Sequence, residues 1–255
     1  MLQKRVIPAL LLRDDALVKT VKFEKGKYIG DPINTVRIFN ELEVDELVFL
    51  DITATNENRI PNLSILSEIA NECFMPLGYG GGLNSFELVQ KIFEIGFEKV
   101  ILNTITHLRP EFVSEIASHF GNQAVVASID VKRNLWGTYE VWSHSGKINT
   151  KKNPVTWAQN LEQLGAGEIL LTSIDREGTW SGFDIQLTQK IADSVNIPVI
   201  AHGGAGSLAH IKQIVNEGKA SSVALGSMVV YQQKGMGVLV NFPDQDILKL
   251  ALNEK

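Results

Sequence analysis

The second half of this 255-residue chain repeats the punctuation of the first. Phe49-Leu-Asp-Ile52 returns as Thr172-Ser-Ile-Asp175, and Pro76-Leu-Gly-Tyr-Gly-Gly-Gly82 returns as Pro198-Val-Ile-Ala-His-Gly-Gly204. Asn103-Thr104 returns as Gly226-Ser227. All offsets are close to half the chain length, and the matches keep their order. Common apolar and glycine residues produce one such match by chance far more easily than three at one spacing. Self-similarity at a fixed offset marks a fold assembled from equivalent units. Between the matched points, short β-branched runs alternate with amphipathic stretches. Strands are expected at Arg5–Leu12, Glu46–Ile52, Pro76–Tyr79, Lys99–Leu102, Ala124–Ile129, Glu168–Ser173, Pro198–Ala201 and Ser222–Leu225. Helices are expected at Phe86–Ile95, Pro110–His119, Val155–Leu164 and Leu187–Ser194, among others. Such alternation specifies parallel βα units, whose buried strands read as near-continuous apolar runs. Eight units, four from each half, predict an α/β fold: a closed (β/α)8 (TIM) barrel of two related half-barrels. Barrels of this kind take about 250 residues, so residues 1–255 are expected to form one domain. An open doubly wound sheet is the alternative.

Composition narrows the partners. A net charge of −5 offers no broad cationic field for nucleic acid. Anionic small molecules are not excluded, because helix N-termini hold phosphate through backbone N–H groups. The lone Cys73 cannot form an internal disulfide and suits a reducing cytoplasm. Lys4 and Arg5 precede the apolar run Val6–Leu12, but Arg13, Asp14 and Asp15 follow at once. That pattern reads as a buried first strand, not a secretory signal. No stretch approaches the roughly 18 apolar residues of a spanning helix. No zinc-type Cys/His spacing is present, so neither metal nor cofactor is expected.

The glycine clusters carry the first chemical signal. Gly80–Gly82 and Gly203–Gly206 each follow a strand, and the next strand of each half ends in a small polar pair. Glycine admits close backbone approach and positive φ. A hydroxyl and a helix N-terminus then complete a phosphate cradle. One such cluster is equally well read as a tight βα turn. Two related by the repeat imply a long ligand with a phosphate at each end, spanning the barrel mouth, where barrel active sites lie.

Asp45-Glu-Leu-Val-Phe-Leu-Asp-Ile-Thr-Ala54, Ser128-Ile-Asp-Val-Lys-Arg133 and Gly165-Ala-Gly-Glu-Ile-Leu-Leu-Thr-Ser-Ile-Asp175 resemble the HisF family. HisF is the ammonia-using subunit of imidazole glycerol phosphate synthase, and the likeness spans nearly the whole chain. The resemblance implies one phosphate near Gly82, Asn103 and Thr104, and the other near Gly178, Gly204, Gly226 and Ser227. It also implies a HisH-like glutaminase partner that forms a heterodimer on the N-terminal face and passes ammonia through the core. The matching positions for the family's gate are Arg5, Glu46, Lys99 and Glu168. A purely structural salt-bridge ring is the plainer reading of those four.

The catalytic positions match only in part. The family's acid–base pair consists of aspartates ending strands one and five. Strand five keeps Asp130, whereas strand one carries Leu11. Leucine transfers no proton, and losing a positioned acid or base costs about 10²–10⁴ in rate. Asp14 and Asp15 follow in the loop as possible substitutes. Asp51 is another candidate base, or an acceptor for a substrate hydroxyl. Lys19 matches a lysine in the family's mobile first loop, roughly Arg13 to Gly30, and the resemblance implies a catalytic place for it in a loop that covers the substrate; the plainer reading is an exposed, solvated lysine. His202 and Glu177 also depart from the pattern. His202 reads as a donor or titratable group, or as a structural histidine bonded to a loop. Three functions are therefore expected. The first is the HisF-like branch linked to acetamidino modification of bacterial surface sugars, in which the strand-one aspartate is likewise replaced within a Leu-Leu-Leu run. The second is ordinary imidazole glycerol phosphate synthesis for histidine. The third is a non-catalytic phosphosugar-binding activator of a glutaminase.

Overall fold

The computed structural model describes residues 4–253. Its barrel strands are β1 (Arg5–Arg13), β2 (Leu47–Asp51), β3 (Leu77–Gly80), β4 (Lys99–Leu102), β5 (Val125–Arg133), β6 (Glu168–Ser173), β7 (Val199–His202) and β8 (Ser222–Leu225). Each pairs in parallel with the next. β8 then returns to β1, from Arg5↔Ser222 to Pro8↔Leu225. The sheet is closed, which rules out the open doubly wound alternative.

Alternation along the strands divides the apolar residues into two cores. Ile7, Ala9, Val48, Ile101, Val126, Leu170, Ile200 and Ala224 fill the barrel interior. Their strand neighbours, such as Val6, Phe49 and Leu171, point outward against the helices. That jacket comprises α1 (Pro32–Glu41), α2 (Leu63–Glu72), α3 (Phe86–Ile95), α4 (Glu111–Phe120), α5 (Pro154–Gln163), α6 (Ile185–Ala192), α7 (Leu208–Asn216) and α8 (Gln245–Asn253). Helix starts are set by short polar side chains that accept orphan backbone N–H groups. The two glycine clusters lead into equivalent caps: Ser85 accepts from Leu88 N, and Ser207 from His210 N. Short helices at Thr104–Leu108 and Ser227–Val230 follow β4 and β8 in the same way. The half-barrel repeat is thus physical, down to its caps.

The structure departs from the sequence reading at two hairpins. The segment after β1 turns at Asp14 and Asp15, both with positive φ (48° and 62°), and runs back as a strand, Ala16–Lys19. This strand pairs with β1 through Leu11↔Val18, and a further strand, Lys27–Gly30, joins it. β5 runs four residues past the expected Ile129, because Tyr139–Ser143 folds back on it through Val131↔Val141. Two successive positive-φ residues make the turn that matches strand twist, and Asp tolerates it less readily than Asn-Gly. The first hairpin therefore announces itself poorly in sequence.

Candidate active site

At the C-terminal ends of the strands the barrel opens into a cavity of about 300 Å³. Leu11, Leu50 and Ile101 form apolar wall, while Asp130, Asn103 and Thr172 supply polar groups. Asp130 is only 6% exposed, and burial lifts its pKa to about 7 against the opposing hydrogen bonds from Asn103 and Thr172. Asn103 Nδ2 donates to Asp130 Oδ2 at 2.7 Å. A carboxyl poised near neutrality can both give and take a proton.

The other acids of the sequence reading lie differently. Asp51 Oδ1 accepts from Thr53 N, Ala54 N and Arg59 Nη2, and Oδ2 lies 2.9 Å from Arg59 Nη1. Its lone pairs are thus occupied by a turn and a guanidinium, an arrangement that fixes the loop after β2 and opposes a role as a free base. Asp14 and Asp15 sit exposed at the hairpin turn, where Asp15 Oδ2 accepts from Asn62 Nδ2 at 2.9 Å. Neither lines the cavity. Substitution for the strand-one carboxylate by these residues, raised above as a possibility, finds no support in the geometry.

The first cradle borders the same cavity. Gly82 has φ 66°, and a Cβ there would stand 2.9 Å from Arg59 O, so only glycine closes this turn against the β2 loop. Gly82 N donates to Thr55 Oγ1 at 3.3 Å, and Thr104 Oγ1 accepts from His144 N at 3.1 Å. Asn103, expected near phosphate, lines the cavity beside Thr104 and Gly82 and donates its side-chain amide to Asp130.

The second cradle is assembled but narrow. Gly178, Gly204, Gly226 and Ser227 surround a space of about 10 Å³ together with Lys19, Glu177 and His202. Lys19 is buried, not solvated: its ammonium pairs with Glu177 Oε1 and donates to Thr20 O at 3.0 Å. Glu177 Oε2 accepts from Phe23 N at 3.1 Å, so this acid lashes the first hairpin to the loop after β6. His202 Nδ1 lies 3.1 Å from Thr172 Oγ1, a contact with a barrel strand and not with a loop. Burial, reinforced by the Lys19 charge, lowers its pKa to about 4.

At the opposite end of the barrel, four charges close a ring. Arg5 Nη1 meets Glu46 Oε2 at 2.5 Å, and Arg5 Nη2 meets Glu168 Oε1 at 2.7 Å. Lys99 Nζ lies 3.0 Å from Glu46 and 3.2 Å from Glu168. Each cation touches both anions, so each of these four charges is paired.

Comparison with known proteins gives this geometry a relationship. Residues 5–235 match the family model described as histidine biosynthesis protein. A Pseudomonas aeruginosa protein named "Putative imidazole glycerol phosphate synthase subunit hisF2" is 50% identical over 251 residues, 98% of this chain and 100% of that one. The imidazole glycerol phosphate synthase subunit HisF of Alkaliphilus metalliredigens is 43% identical, covering 91% of this chain and 92% of its own. The same-named subunit of a Nostoc species is 40% identical over 95% of each chain. The chain belongs to the HisF family.

For a HisF-family barrel, the expected residues fall into three separate places: mouth, second cradle and floor ring. Sequence reasoning did not single out Thr172 or Arg59. Thr172 stood in the quoted repeat next to the glycine logic, yet a lone threonine on a strand carries no signal of its own. Arg59 lies in a loop without periodicity. Among the described residues, no helix is long and apolar enough to cross a membrane.

Proposed function

We propose that this chain is the ammonia-using subunit of a HisF-type synthase that amidates its acceptor instead of cyclising it. A single observation carries the reading. The buried end of β1 presents Leu11, 6% exposed, to the mouth cavity, leaving Asp130 as the acid–base carboxyl there. Asp51 is tied to Arg59 and Glu177 to Lys19. In HisF chemistry, as the resemblance gives it, ring closure uses carboxyls on both sides of the substrate. Here one side is hydrocarbon.

Ammonia would come from a glutaminase partner docked on the floor face. The Arg5–Glu46–Lys99–Glu168 ring would stand at the entrance, and ammonia would pass between Ile7, Val48, Ile101, Val126, Leu170 and Ile200, which pack the interior above it. An apolar passage penalises the ammonium ion far more than neutral ammonia, since an unpaired charge pays heavily for lost hydration. The nucleophile would therefore reach the mouth as free base. Its attack on an acetamido carbon, with loss of water, converts amide to amidine. Asp130, near its midpoint at neutral pH, takes in turn each of the two protons that the attacking nitrogen sheds and passes it to the carbonyl oxygen, which leaves as water. The two cradles would grip the acceptor's phosphates, with Gly82 and Thr104 at one end and Gly204, Gly226 and Ser227 at the other. An acceptor sugar with a phosphate group at each end meets that demand, whereas the adjacent phosphates of a nucleoside diphosphate would occupy one cradle alone.

The competing reading is histidine-pathway cyclisation with Asp130 as the principal group. It is favoured by the near-neutral pKa of Asp130 and the Asn103 contact that orients it. Gene deletion separates the two. Amidation predicts surface polysaccharide bearing acetamido where the parent bears acetamidino, with growth unaffected by histidine. A histidine auxotroph with unchanged polysaccharide rejects the amidation reading.

A further inference from the structure

Asp130, Thr172 and His202 stand at one level on adjacent strands. Thr172 is the register partner of Asp130 on β5 and of His202 on β7. All three line the mouth cavity. Thr172 Oγ1 lies 3.1 Å from His202 Nδ1, and its register with Asp130 places the same hydroxyl beside that carboxyl, whose pKa it helps to lower.

A hydroxyl carries one proton and two lone pairs, and this fixes what the row can do. When Asp130 is ionised it can only accept, so Thr172 donates to it. His202 must then donate Nδ1–H to the free lone pair of Thr172, which leaves Nε2 bare. When Asp130 is protonated the chain reverses. Asp130 donates to Thr172, Thr172 donates to Nδ1, and the imidazole proton sits on Nε2. These two states differ by one proton, entered at either end.

Nε2 faces the second cradle. It lies 3.8 Å from the position a Cβ on Gly226 would take, and Lys19 Nζ lies 3.6 Å from the same point. The charged groups around the ring are Lys19 from the first hairpin, Glu177 from the loop after β6, and Asp130 through Thr172. Lys19 discourages an imidazolium and Glu177 favours it, with burial the largest influence, toward the neutral ring. The ring therefore changes tautomer without storing charge.

We infer that Asp130, Thr172 and His202 form a proton relay that makes His202 Nε2 a second acid–base atom of the reaction, on the side of the second cradle. A proton taken by Nε2 displaces the Nδ1 proton to Thr172 Oγ1, whose own proton passes to Asp130. No net charge remains on the ring or the hydroxyl. The inference rests on Asp130 being the reaction's acid–base group, and it supplies a second point of proton transfer without a carboxyl at Leu11.

The test reads the ring itself, free of any acceptor. In protein labelled with ¹⁵N-histidine, His202 should change from the Nδ1–H to the Nε2–H tautomer as pH falls through about 7, the Asp130 midpoint. Thr172→Val should abolish that change, and Thr172→Ser, which restores the hydroxyl, should keep it. A tautomer that ignores pH in the wild type, or still switches in a folded Thr172→Val protein, overturns the relay. If Thr172→Val does not fold, the wild-type titration against Asp130→Asn decides, because the asparagine variant must hold one tautomer at every pH. In an ammonium-dependent turnover assay, Thr172→Val should lower kcat about 10²-fold with KM little changed, the size of loss expected for one proton-transfer group. Failure of the amidation reading would remove the turnover in every protein while leaving the tautomer switch intact.

Discussion

Replacing Asp130 by asparagine should stabilise the folded protein above neutral pH and lose that advantage in acid. Asp130 is 6% exposed, and burial raises its pKa from 3.8 to about 7. Below pH 3.8 both folded and unfolded chains hold the proton, and Asp130 contributes no pH dependence. Between 3.8 and about 7 the folded chain keeps a proton that the unfolded chain releases. Stability therefore falls with rising pH across that window, and the fall is complete above it. At about 1.4 kcal/mol per pH unit the interval amounts to roughly 4 kcal/mol, an upper figure because relaxation and water entry reduce it. Asparagine carries no ionisable proton and can still accept from Asn103. Its hydrogen bonds add a constant offset, so the pH-dependent part is diagnostic. Urea unfolding of both proteins from pH 4 to 8.5 measures it. The difference in unfolding free energy should grow by about 2–4 kcal/mol in favour of Asp130→Asn, with activity lost throughout. A difference that stays flat with pH refutes the buried, proton-poised carboxyl.

Other substitutions probe the rest of the site. Lys19→Met leaves Glu177 buried without its cation and should cost about 3–5 kcal/mol in urea unfolding, whereas adding Glu177→Leu should recover most of that loss. No recovery would show that the pair is not the lash between hairpin and barrel. Gly204→Ala places a Cβ 2.1 Å from Gly182 O at φ 108° and should lower stability by about 3 kcal/mol. Gly137→Ala, with φ 80° and open space around it, should cost only about 1 kcal/mol in the same urea unfolding. Glu46→Gln unbalances the floor ring, leaving Arg5 and Lys99 to share Glu168. Glutamine-driven turnover should fall at least about tenfold, by loss of one charge-assisted hydrogen-bond set, while turnover with added ammonium salt holds. Equal losses in both assays would deny the ring any part in ammonia entry.

Much of the barrel could be read from sequence because its signals are local. Apolar runs bounded by glycine and proline placed every barrel strand to within a residue or two at its start, and the repeat fixed their number. Phe86–Ile95 matched at both ends, since Ser85 and Gly96 cap it in sequence as in space. The two hairpins escaped notice because they pair with extensions of β1 and β5, a contact that no local pattern encodes. The site divides the same way. Glycine cradles and the floor charges announce themselves by residue type and position. What Lys19, Asp51 and His202 touch does not. Lys19 read as a catalytic candidate or a solvated loop lysine, with nothing to show that the hairpin carries it inward onto Glu177, and Asp51 looked like a spare base until Arg59 reached it. Thr172 matters only because neighbouring strands set Asp130 and His202 beside it, a consequence of register.

We propose that this HisF-family barrel keeps the family's binding surfaces and lacks half of the cyclase acid–base pair, at Leu11. Steady-state turnover of the bis-phosphate imidazole glycerol phosphate synthase substrate, with ammonium salt and purified protein, tests it directly. The wild type should show cyclase activity about 10²–10⁴ below that of a HisF with both carboxyls, and Leu11→Asp should gain activity. Turnover at the rate of a complete HisF enzyme, unchanged by Leu11→Asp, would contradict the account.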